Sequence, residues 1–306
     1  MHFQKTINSV GRPLIFGEVL YDLFPEGNKL LGGAPFNVAW HLQGLGLPPL
    51  LISRIGNDQL GYNALEQMKK WGMDMSGIQL DQKHSTGVAH ILSEKDDPQF
   101  EIPSLQAYDY IEKSLAFRNT KKKDLSLIYH GTLACRHSVS ASTLKSLVNK
   151  LNLPIFIDVN LRSPWWEKIS VCNFLQNASW IKMNEAELFL LSNTLKPSRL
   201  EKARTVLLKN KKSKALIVTR GSKGAFFLLP GNKKIESLGV KANEVVDTVG
   251  AGDAFSSVWI LGIALDWNIL ITLERSLEFA SAIVRQRGAT RQDPELYRFF
   301  KKKWKL

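Results

Sequence analysis

The middle of the chain alternates short apolar runs with longer segments whose apolar residues recur at helical spacing. The short runs are rich in β-branched residues and occupy 50–55, 125–129, 155–159, 180–183 and 216–219. The segments with helical spacing are 59–71, 139–151, 185–191 and 199–209. Strands that are apolar on both faces and are separated by helices are typical of a parallel sheet. The pattern therefore predicts an α/β fold, with a mainly parallel sheet flanked by helices on both faces.

Two further segments, 13–31 and 86–102, alternate apolar and polar residues and contain turn residues in place of helices. This alternation predicts strands, and we expect a small second sheet on the edge of the core. No repeat, low-complexity tract or linker divides the sequence. Residues 1–306 are therefore expected to form a single domain into which the small sheet is inserted.

The composition adds a strong positive charge. Lys and Arg number 41 and Asp and Glu number 28, so the net charge is +13. Lysine clusters occur at 121–123, 209–214 and 301–305, and we interpret them as solvated helix ends and turns. The alternative from another class is a basic nucleic-acid-binding protein, but the sequence lacks a recognition motif and interleaved aromatic residues. We therefore expect no nucleic-acid partner.

Cysteine and apolar patterns indicate the compartment. The two cysteines form no disulfide framework, and none of the six histidines stands in a metal-binding motif. Residues 1–10 lack the apolar core of a signal peptide, and polar residues interrupt the apolar stretch 255–273. The expected setting is a reducing cytoplasm, without membrane association.

The candidate chemistry centres on a glycine-rich turn, Gly250-Ala251-Gly252-Asp253, which precedes a long apolar helix. The first N–H groups of a helix are unpaired and partly positive, and glycines let a phosphate approach the backbone. A carboxylate repels a bound phosphate, so Asp253 suits a base that accepts a proton from a hydroxyl attacking phosphorus. The spacing alone leaves an ordinary glycine turn open, because Asp is favoured in any first helical turn.

The segment 247–253, Asp-Thr-Val-Gly-Ala-Gly-Asp, resembles the C-terminal signature of the PfkB family of ribokinase-like sugar kinases. Further matches follow the family's order within residues 14–290, namely Gly17-Glu18-Val19-Leu20-Tyr21-Asp22-Leu23, Gly32-Gly33-Ala34-Pro35-Phe36-Asn37-Val38-Ala39, Asp158-Val159-Asn160-Leu161-Arg162, Asn184-Glu185-Ala186-Glu187 and Thr219-Arg220-Gly221-Ser222-Lys223-Gly224. The resemblance implies a ribokinase-like fold, a lid formed by the small sheet, and transfer of the γ-phosphate of ATP to a sugar hydroxyl. It also implies a homodimer formed through the lid sheet.

The resemblance makes Asp253 the catalytic base, with the N–H groups of Gly250, Ala251 and Gly252 holding the transferred phosphoryl group. The residues that it implies for sugar binding are Asp22, Gly32, Gly33 and Asn37, with Arg162 and Phe100 as further contacts. A carboxylate can accept hydrogen bonds from two sugar hydroxyls, and a guanidinium can hold a phosphoryl group or a carboxylate. The alternative for Asp22 is an ordinary turn residue, and that for Arg162 is a surface salt bridge. Gly32, Gly33 and Asn37 could instead form an ordinary glycine turn and helix start.

For the nucleotide, the resemblance assigns Glu187 to water molecules bound to Mg²⁺, while Asn-x-x-Glu at a helix start is also a capping box. A monovalent cation such as K⁺ would take backbone carbonyls of Asp247 and Val249. The other residues expected at the ATP site are Asn184, Thr219, Gly221, Ser222 and Gly224 along the phosphates, with Ala280 and Ile283 at the adenine.

The stretch Gly32-Gly33-Ala34-Pro35 looks like that of bacterial fructokinases. Ribokinases usually have Lys at the position of Ala34, which makes ribose a poorer match. Arg162 also suits the 2-keto-3-deoxygluconate kinases of the family, although the Tyr and Arg that read the carboxylate there are absent from 98–102. Fructose is the expected substrate, and 2-keto-3-deoxygluconate or another sugar is the alternative.

Overall fold

The computed structural model of this protein describes residues 10–93, 99–192, 198, 201–203, 206, 213–230, 233–239, 245–285 and 287–306. The strands are β1 (Arg12–Phe16), β2 (Leu20–Leu23), β3 (Lys29–Gly32), β4 (Leu50–Gly56), β5 (Ile78–Asp81), β6 (Gly87–Ser93), β7 (Gln99–Glu101), β8 (Leu125–His130), β9 (Ile155–Asp158), β10 (Trp180–Asn184), β11 (Ala215–Thr219), β12 (Ala225–Leu228) and β13 (Lys234–Ser237). The helices are α1 (Ala34–Leu45), α2 (Gln59–Lys70), α3 (Lys113–Thr120), α4 (Ser138–Leu151), α5 (Lys168–Leu175), α6 (Glu185–Ser192), α7 (Ala251–Ala264), α8 (Ile269–Ile283) and α9 (Pro294–Trp304).

The main sheet has nine strands in the order β13-β12-β11-β10-β9-β8-β1-β4-β5. From β11 to β5 neighbouring strands run parallel, and β12 and β13 complete one edge in antiparallel orientation. Adjacent residues of β1 enter different core clusters, with Ile15 on one face and Leu14 and Phe16 on the other. The predicted α/β fold, with both faces of the sheet covered, is confirmed.

The second sheet has four strands in the order β3-β2-β6-β7. The expectation that all of 13–31 contributes to it is wrong for the first strand, because β1 pairs with β4 and β8 in the main sheet. The physical reason is that Leu14, Ile15 and Phe16 are all buried, so β1 is apolar on both faces like the other central strands. The small sheet therefore uses β2 and β3 from this segment and β6 and β7 from 86–102.

Most predicted elements differ from those observed by a residue or two at each end. The helix expected at 199–209 is seen as helical at 201–203 and 206, and the remainder lies outside the described residues. The sequence pattern did not indicate the strands towards the two edges of the main sheet, β5, β12 and β13, which are only four residues long. Within the described ranges, no helix is long and apolar enough to cross a membrane.

Two of the lysine clusters lie where helices end, as expected. Residues 121–123 directly follow α3, and 301–303 form the last turn of α9, where cations complement the helix dipole. In the third cluster, residues 209–212 lie outside the described part of the chain.

Helix α1 is held to the C-terminal part of the chain by buried polar contacts. The two ring nitrogens of His41 lie 2.9 Å from the hydroxyl of Tyr297 and 3.0 Å from the carbonyl oxygen of Ala289. Burial lowers the pKa of His41 to about 3, so the ring is neutral at physiological pH. The indole N–H of Trp40 donates to the carbonyl of Arg291 at 2.8 Å. The position of α1 is thus fixed from its buried side.

Close packing of α1 on α9 gives a stability prediction. A Cβ added to Gly44 would lie 2.4 Å from Cδ1 of Tyr297, whose side chain is 1% exposed. Ala favours a helix over Gly by about 1 kcal/mol, but overpacking a rigid core costs about 1–3 kcal/mol. We expect Gly44→Ala to lower the free energy of unfolding in urea.

The control is the double variant Gly44→Ala/Tyr297→Leu. Removing the ring removes the clash, so the cost of Gly44→Ala should be smaller in the Tyr297→Leu background than in the wild type. Equal costs in the two backgrounds would show that the ring is not the obstacle.

Candidate active site

A cavity of about 540 Å³ lies at the carboxyl ends of the parallel strands and is bordered by the small sheet. Ligand sites in open α/β sheets are found at such strand ends. The structure brings most of the predicted site residues together on its wall, namely Asp22, Gly33, Asn37, Phe100, Arg162, Asn184, Glu187, Thr219, Gly221, Ser222, Gly224, Val249, Gly250, Ala251, Gly252, Asp253 and Ala280. Gly32, Asp247 and Ile283 are not part of the wall.

The glycine-rich turn forms the N-terminus of α7, with Gly250 as the N-cap residue at φ 79°. A Cβ on Gly250 would lie 2.3 Å from that of Ala289, so this position requires glycine for both its backbone angle and its packing. The N–H of Ala251 donates to the carbonyl of Thr248 at 3.3 Å. The N–H of Ala254 donates to the carbonyl of Gly250 at 2.8 Å. The N–H groups of Gly252 and Asp253 lie between these two, where a helix supplies no acceptor, and they form the anion-binding end.

Asp253 is half-buried in the first turn of α7. Its Oδ2 accepts a hydrogen bond of 2.8 Å from the side-chain amide of Asn37, in the first turns of α1. Burial raises the pKa of Asp253 to about 6, Asp158 adds to this, and the hydrogen bond from Asn37 opposes it. A carboxyl group with a pKa near 6, beside an anion-binding helix end, is suited to accepting a proton.

Behind this turn lies a buried ion pair that the sequence analysis did not identify. The ammonium of Lys182 in β10 is 2.6 Å from Oδ2 of Asp158 at the end of β9, and both side chains are under 10% exposed. Oδ2 of Asp158 also accepts a hydrogen bond of 2.8 Å from the hydroxyl of Ser256 in α7. A Cβ on Gly252 would lie 3.3 Å from the ammonium nitrogen of Lys182. The anion-binding turn therefore has a fixed cation next to it.

The sequence contains one indication that Lys182 is functional: it interrupts an otherwise apolar strand, two residues before Asn184. A buried lysine needs an anionic partner, but the residue that supplies it is 24 positions away.

Acidic side chains lie in the part of the cavity beyond Asp253. A Cβ on Gly32 would be 3.1 Å from Oδ2 of Asp22 and 3.8 Å from Oδ1 of Asn37, so the absence of a side chain keeps space open between these oxygens. Oδ1 of Asn37 is buried and has no hydrogen-bond partner in the described part of the chain. Burial raises the pKa of Asp22 to about 7, and the positive charge of Arg162 opposes this. These oxygens are suited to hydroxyl donors.

Arg162 lies over the ring of Phe100, with 5.1 Å between the guanidinium carbon and the ring centroid. Phe100 belongs to β7 of the small sheet, whereas Arg162 follows β9 of the main sheet. The indole N–H of Trp165 donates to the carbonyl of Ile102 at 2.8 Å. These two contacts hold the small sheet against the rim of the cavity.

Glu187 forms the capping box that the sequence left as an alternative. Its carboxylate accepts hydrogen bonds of 2.7 Å from the N–H groups of Asn184 and Leu161, and its own N–H donates to Oδ1 of Asn184 at 2.8 Å. Burial raises the pKa of Glu187. The carboxylate is fixed in place and still borders the cavity.

The turn between β11 and β12 borders the cavity with Thr219, Gly221 and Ser222. Gly221 and Gly224 have φ values of 57° and 84°, which favour glycine. A Cβ on Gly224 would also lie 2.2 Å from the carbonyl oxygen of Ser237, so this glycine is required by the packing of β13 as well.

The expectation that Ile283 forms the wall of an adenine pocket is wrong. Ile283 is fully buried in the main core. The face of α8 towards the cavity is instead formed by Leu277, Ala280 and Ser281, with Val284 directly after the helix. These positions follow the i, i+3, i+4, i+7 spacing of one helix face, and Ile283 lies about 100° away from it.

Asp247 does not border the cavity, but it fixes the loop before α7. Its carboxylate accepts hydrogen bonds of 2.9 Å from the N–H groups of Val249 and Gly288. The backbone between Asp247 and Val249 is thereby tied to the segment that contains Ala289.

Relatives of known class match almost the whole chain. The protein named "Probable fructokinase-5" of Arabidopsis thaliana is 29% identical over 300 residues, covering 88% of this chain and 90% of that protein. Fructokinase-2 of Solanum lycopersicum is 25% identical over 303 residues, covering 90% and 89%.

Solved structures share the fold. An uncharacterized sugar kinase of Pyrococcus horikoshii superposes with a TM-score of 0.79 at 25% identity, over 90% of this chain and 93% of that one. A fructokinase of Vibrio cholerae superposes with a TM-score of 0.80 at 23% identity, over 95% and 98%. The model of the pfkB family carbohydrate kinases matches residues 11–296. The chain therefore belongs to the pfkB family of carbohydrate kinases.

Proposed function

We propose that this sugar kinase transfers the γ-phosphate of ATP to a hydroxyl of fructose, with Asp253 as the catalytic base. The observation that carries the proposal is the position of the Asp253 carboxyl group. It is half-buried at the N-terminus of α7, has a pKa raised to about 6, and lies close to the buried cation Lys182. A proton acceptor and anion-binding groups therefore meet in one place, as phosphoryl transfer to a hydroxyl requires.

The sugar would lie between the main sheet and the small sheet. The oxygens of Asp22 and Asn37 that face the space above Gly32 would accept hydrogen bonds from its hydroxyls, and the attacking hydroxyl would point to Asp253. The amide of Asn37 holds the carboxylate of Asp253 at 2.8 Å, so one residue would position both the base and the sugar. The small sheet would cover the sugar and limit hydrolysis of ATP by water.

The phosphates would extend from α7 towards the turn between β11 and β12. The N–H groups of the first turn of α7 and the ammonium of Lys182 would stabilise the charge on the transferred group. The adenine would lie against Ala280 and its neighbours on α8, with Thr219, Gly221 and Ser222 along the phosphates. The fructokinase of Vibrio cholerae was solved with ADP and fructose bound.

The residues present fit Mg²⁺ in a water-mediated role. Magnesium keeps most of its water ligands and needs few protein carboxylates, and Glu187 offers a fixed carboxylate whose oxygens already accept two backbone hydrogen bonds. Bound Mg²⁺ would offset the negative charge of ATP. A monovalent cation would take backbone carbonyls between Asp247 and Val249, and potassium is present in the Vibrio cholerae fructokinase structure.

The balance of charge favours a neutral sugar over 2-keto-3-deoxygluconate. The sugar end contains the carboxyl groups of Asp22, Asp253 and Glu18, whereas Arg162 is the cation that acts on all of them. A substrate carboxylate would add a fourth acidic group and would compete with the protein's own carboxylates for Arg162. Fructose brings only hydroxyl groups, which can donate hydrogen bonds to these oxygens.

We further propose a homodimer that forms through the small sheet, whose edge strands β3 and β7 each pair with one neighbour among the described strands. A cytoplasmic location fits the two free cysteines, of which Cys135 is buried.

The test of the function is formation of ADP in the presence of ATP, Mg²⁺ and a panel of sugars, with identification of the phosphorylated product. Fructose should give the highest kcat/KM in a panel that includes ribose, tagatose, nucleosides and 2-keto-3-deoxygluconate. A higher kcat/KM with 2-keto-3-deoxygluconate would contradict the charge argument, and no turnover with any sugar would contradict the proposed function.

Asp253→Asn tests the base. The amide keeps the shape of the side chain but cannot accept the proton, so kcat should fall by at least ~10²-fold. The Kd for ATP, measured by calorimetry, should stay within about twofold of the wild-type value. Asp266→Asn, far along the chain in the turn after α7, is a matched control and should leave kcat unchanged. Normal turnover by Asp253→Asn would rule out this mechanism.

The raised pKa values predict the pH dependence of kcat/KM for fructose. Asp253 must be ionised to accept a proton, and Asp22 must be ionised to accept hydrogen bonds from two hydroxyls. Their pKa values are about 6 and about 7, so each group loses its proton as the pH rises through this window. We expect kcat/KM to rise between pH 5 and 7. A profile that is flat down to pH 5 would show that neither group needs to ionise there.

Lys182→Met tests the buried cation. Loss of a charge that stabilises the transition state should lower kcat by ~10²-fold, and the unpaired Asp158 should cost about 3–5 kcal/mol of stability. In the double variant Lys182→Met/Asp158→Asn, urea denaturation should show that part of this stability returns, while kcat stays low. If kcat recovered together with stability, Lys182 would have a structural role alone.

A further inference from the structure

Glu18 is a buried acid to which the proposed mechanism gives no role. It lies between β1 and β2, is 2% exposed, and nevertheless borders the cavity. A Cβ on Gly33 would lie 2.7 Å from its carbonyl oxygen and 3.2 Å from its Cγ. The glycine at position 33, with φ 105°, therefore makes room for Glu18 directly beneath the start of α1.

One carboxyl oxygen of Glu18 lacks a partner. Its Oε2 is buried and makes no hydrogen bond in the described part of the chain. Backbone N–H groups of Glu18 and Ala34 act on the same carboxyl group and favour its ionised form. A buried polar atom without a partner is costly, and such atoms in native proteins are normally satisfied by a ligand or water. The free oxygen therefore indicates that something polar binds at this point of the cavity.

The charges around Glu18 place it at the sugar end. Asp253 raises its pKa and Arg162 lowers it, but burial is the larger cause and brings the pKa to about 7. Much of Glu18 is thus protonated at neutral pH and can donate a hydrogen bond. The charge of Glu18 also acts on four titratable side chains of the core, namely Tyr108, Tyr129, Cys135 and Arg136.

We propose that Glu18 is a sugar-binding residue whose protonated Oε2 donates a hydrogen bond to an oxygen of the sugar, close to the hydroxyl on which Asp253 acts. The ligand class is a neutral polyol, because an anionic group would meet the oxygens of Asp22, Asp253 and Glu18 together. This inference rests on the proposed function. Glu18 would supply a hydrogen-bond donor where the neighbouring oxygens only accept. The site could then recognise the hydroxyl hydrogens of the sugar and also a lone pair on one of its oxygens.

The experiment compares Glu18→Leu and Glu18→Gln with the wild type, by calorimetry with fructose and by steady-state kinetics. Glu18→Leu removes the donor, and the KM for fructose should rise by ~10-fold or more, with the KM for ATP unchanged. Glu18→Gln keeps a donor and an acceptor, so its Kd for fructose at pH 6.5 should remain close to the wild-type value. Glu66→Gln, on the exposed face of α2, is the matched control.

The pH dependence separates binding from a structural role. Between pH 7 and 8.5 the affinity of the wild type for fructose should fall several-fold relative to that of Glu18→Gln at the same pH, because the ionised carboxyl group of Glu18 no longer donates and adds a negative charge. Ionisation of Asp22 in the same window is common to both proteins and cancels in this ratio. The comparison remains decisive if Glu18→Leu does not fold, since the amide variant preserves the shape of the side chain.

Two results would overturn the inference while leaving the proposed function intact. One is an unchanged KM for fructose in Glu18→Leu, as expected if Oε2 binds only a buried water. The other is the same fall in affinity above pH 7 in Glu18→Gln as in the wild type. Absence of turnover by the wild type with every sugar of the panel would instead defeat the proposed function, and the inference with it.

Discussion

The buried ion pair of Lys182 and Asp158 is the interaction on which the rest of the site depends. The two side chains come from neighbouring parallel strands and are 2.6 Å apart, and neither charge could remain buried without the other. Because Ser256 of α7 donates to the same carboxylate oxygen, the pair ties the helix to the strand ends. It also places a positive charge beside the helix terminus that is already electropositive. One contact therefore fixes the geometry of the anion-binding end and holds the ammonium of Lys182 beside Gly252.

Next to this cationic end, from Asp253 outwards, the cavity is acidic. Burial raises the pKa values of Glu18, Asp22 and Asp253 to between about 6 and about 7. Arg162 limits these increases but does not abolish them. Carboxyl groups buried this close together are costly when ionised, because burial and mutual repulsion both disfavour the negative charge. A polyol relieves this cost with hydroxyl donors, whereas an anion increases it. The cationic part of the cavity suits the phosphates of ATP, and the acidic part suits the hydroxyl groups of a sugar. This separation would orient the two substrates in one cavity.

The sequence predicts the parallel strands and their helices well, because continuous apolar runs followed by amphipathic segments have few alternative arrangements. It does not predict the sheet to which β1 belongs, since that depends on pairing with β4 and β8, distant in the chain. Motifs indicate Asn37 and Asp253 separately, but their contact spans 216 positions and requires the fold. Ile283 was expected on the cavity side of its helix but lies about 100° around the helix from that side. Neighbouring positions in a sequence do not show which of them faces a cavity. Lys182 and Glu18 were missed because buried charges cannot be recognised without their partners.

Support for the active site comes from the face of α1 that carries both Asn37 and His41, which are one turn apart. Asn37 holds the base, and one turn later His41 lies 3.0 Å from the carbonyl oxygen of Ala289. Ala289 in turn lies so close to Gly250 that only glycine fits in the anion-binding turn. A shift of α1 would therefore displace the partner of the base and the support of the turn together. Because the His41 ring is neutral and fully buried, this coupling is insensitive to physiological changes of pH, unlike the acidic groups on the sugar side. The fold thus separates the groups that must titrate from the contacts that hold them in place.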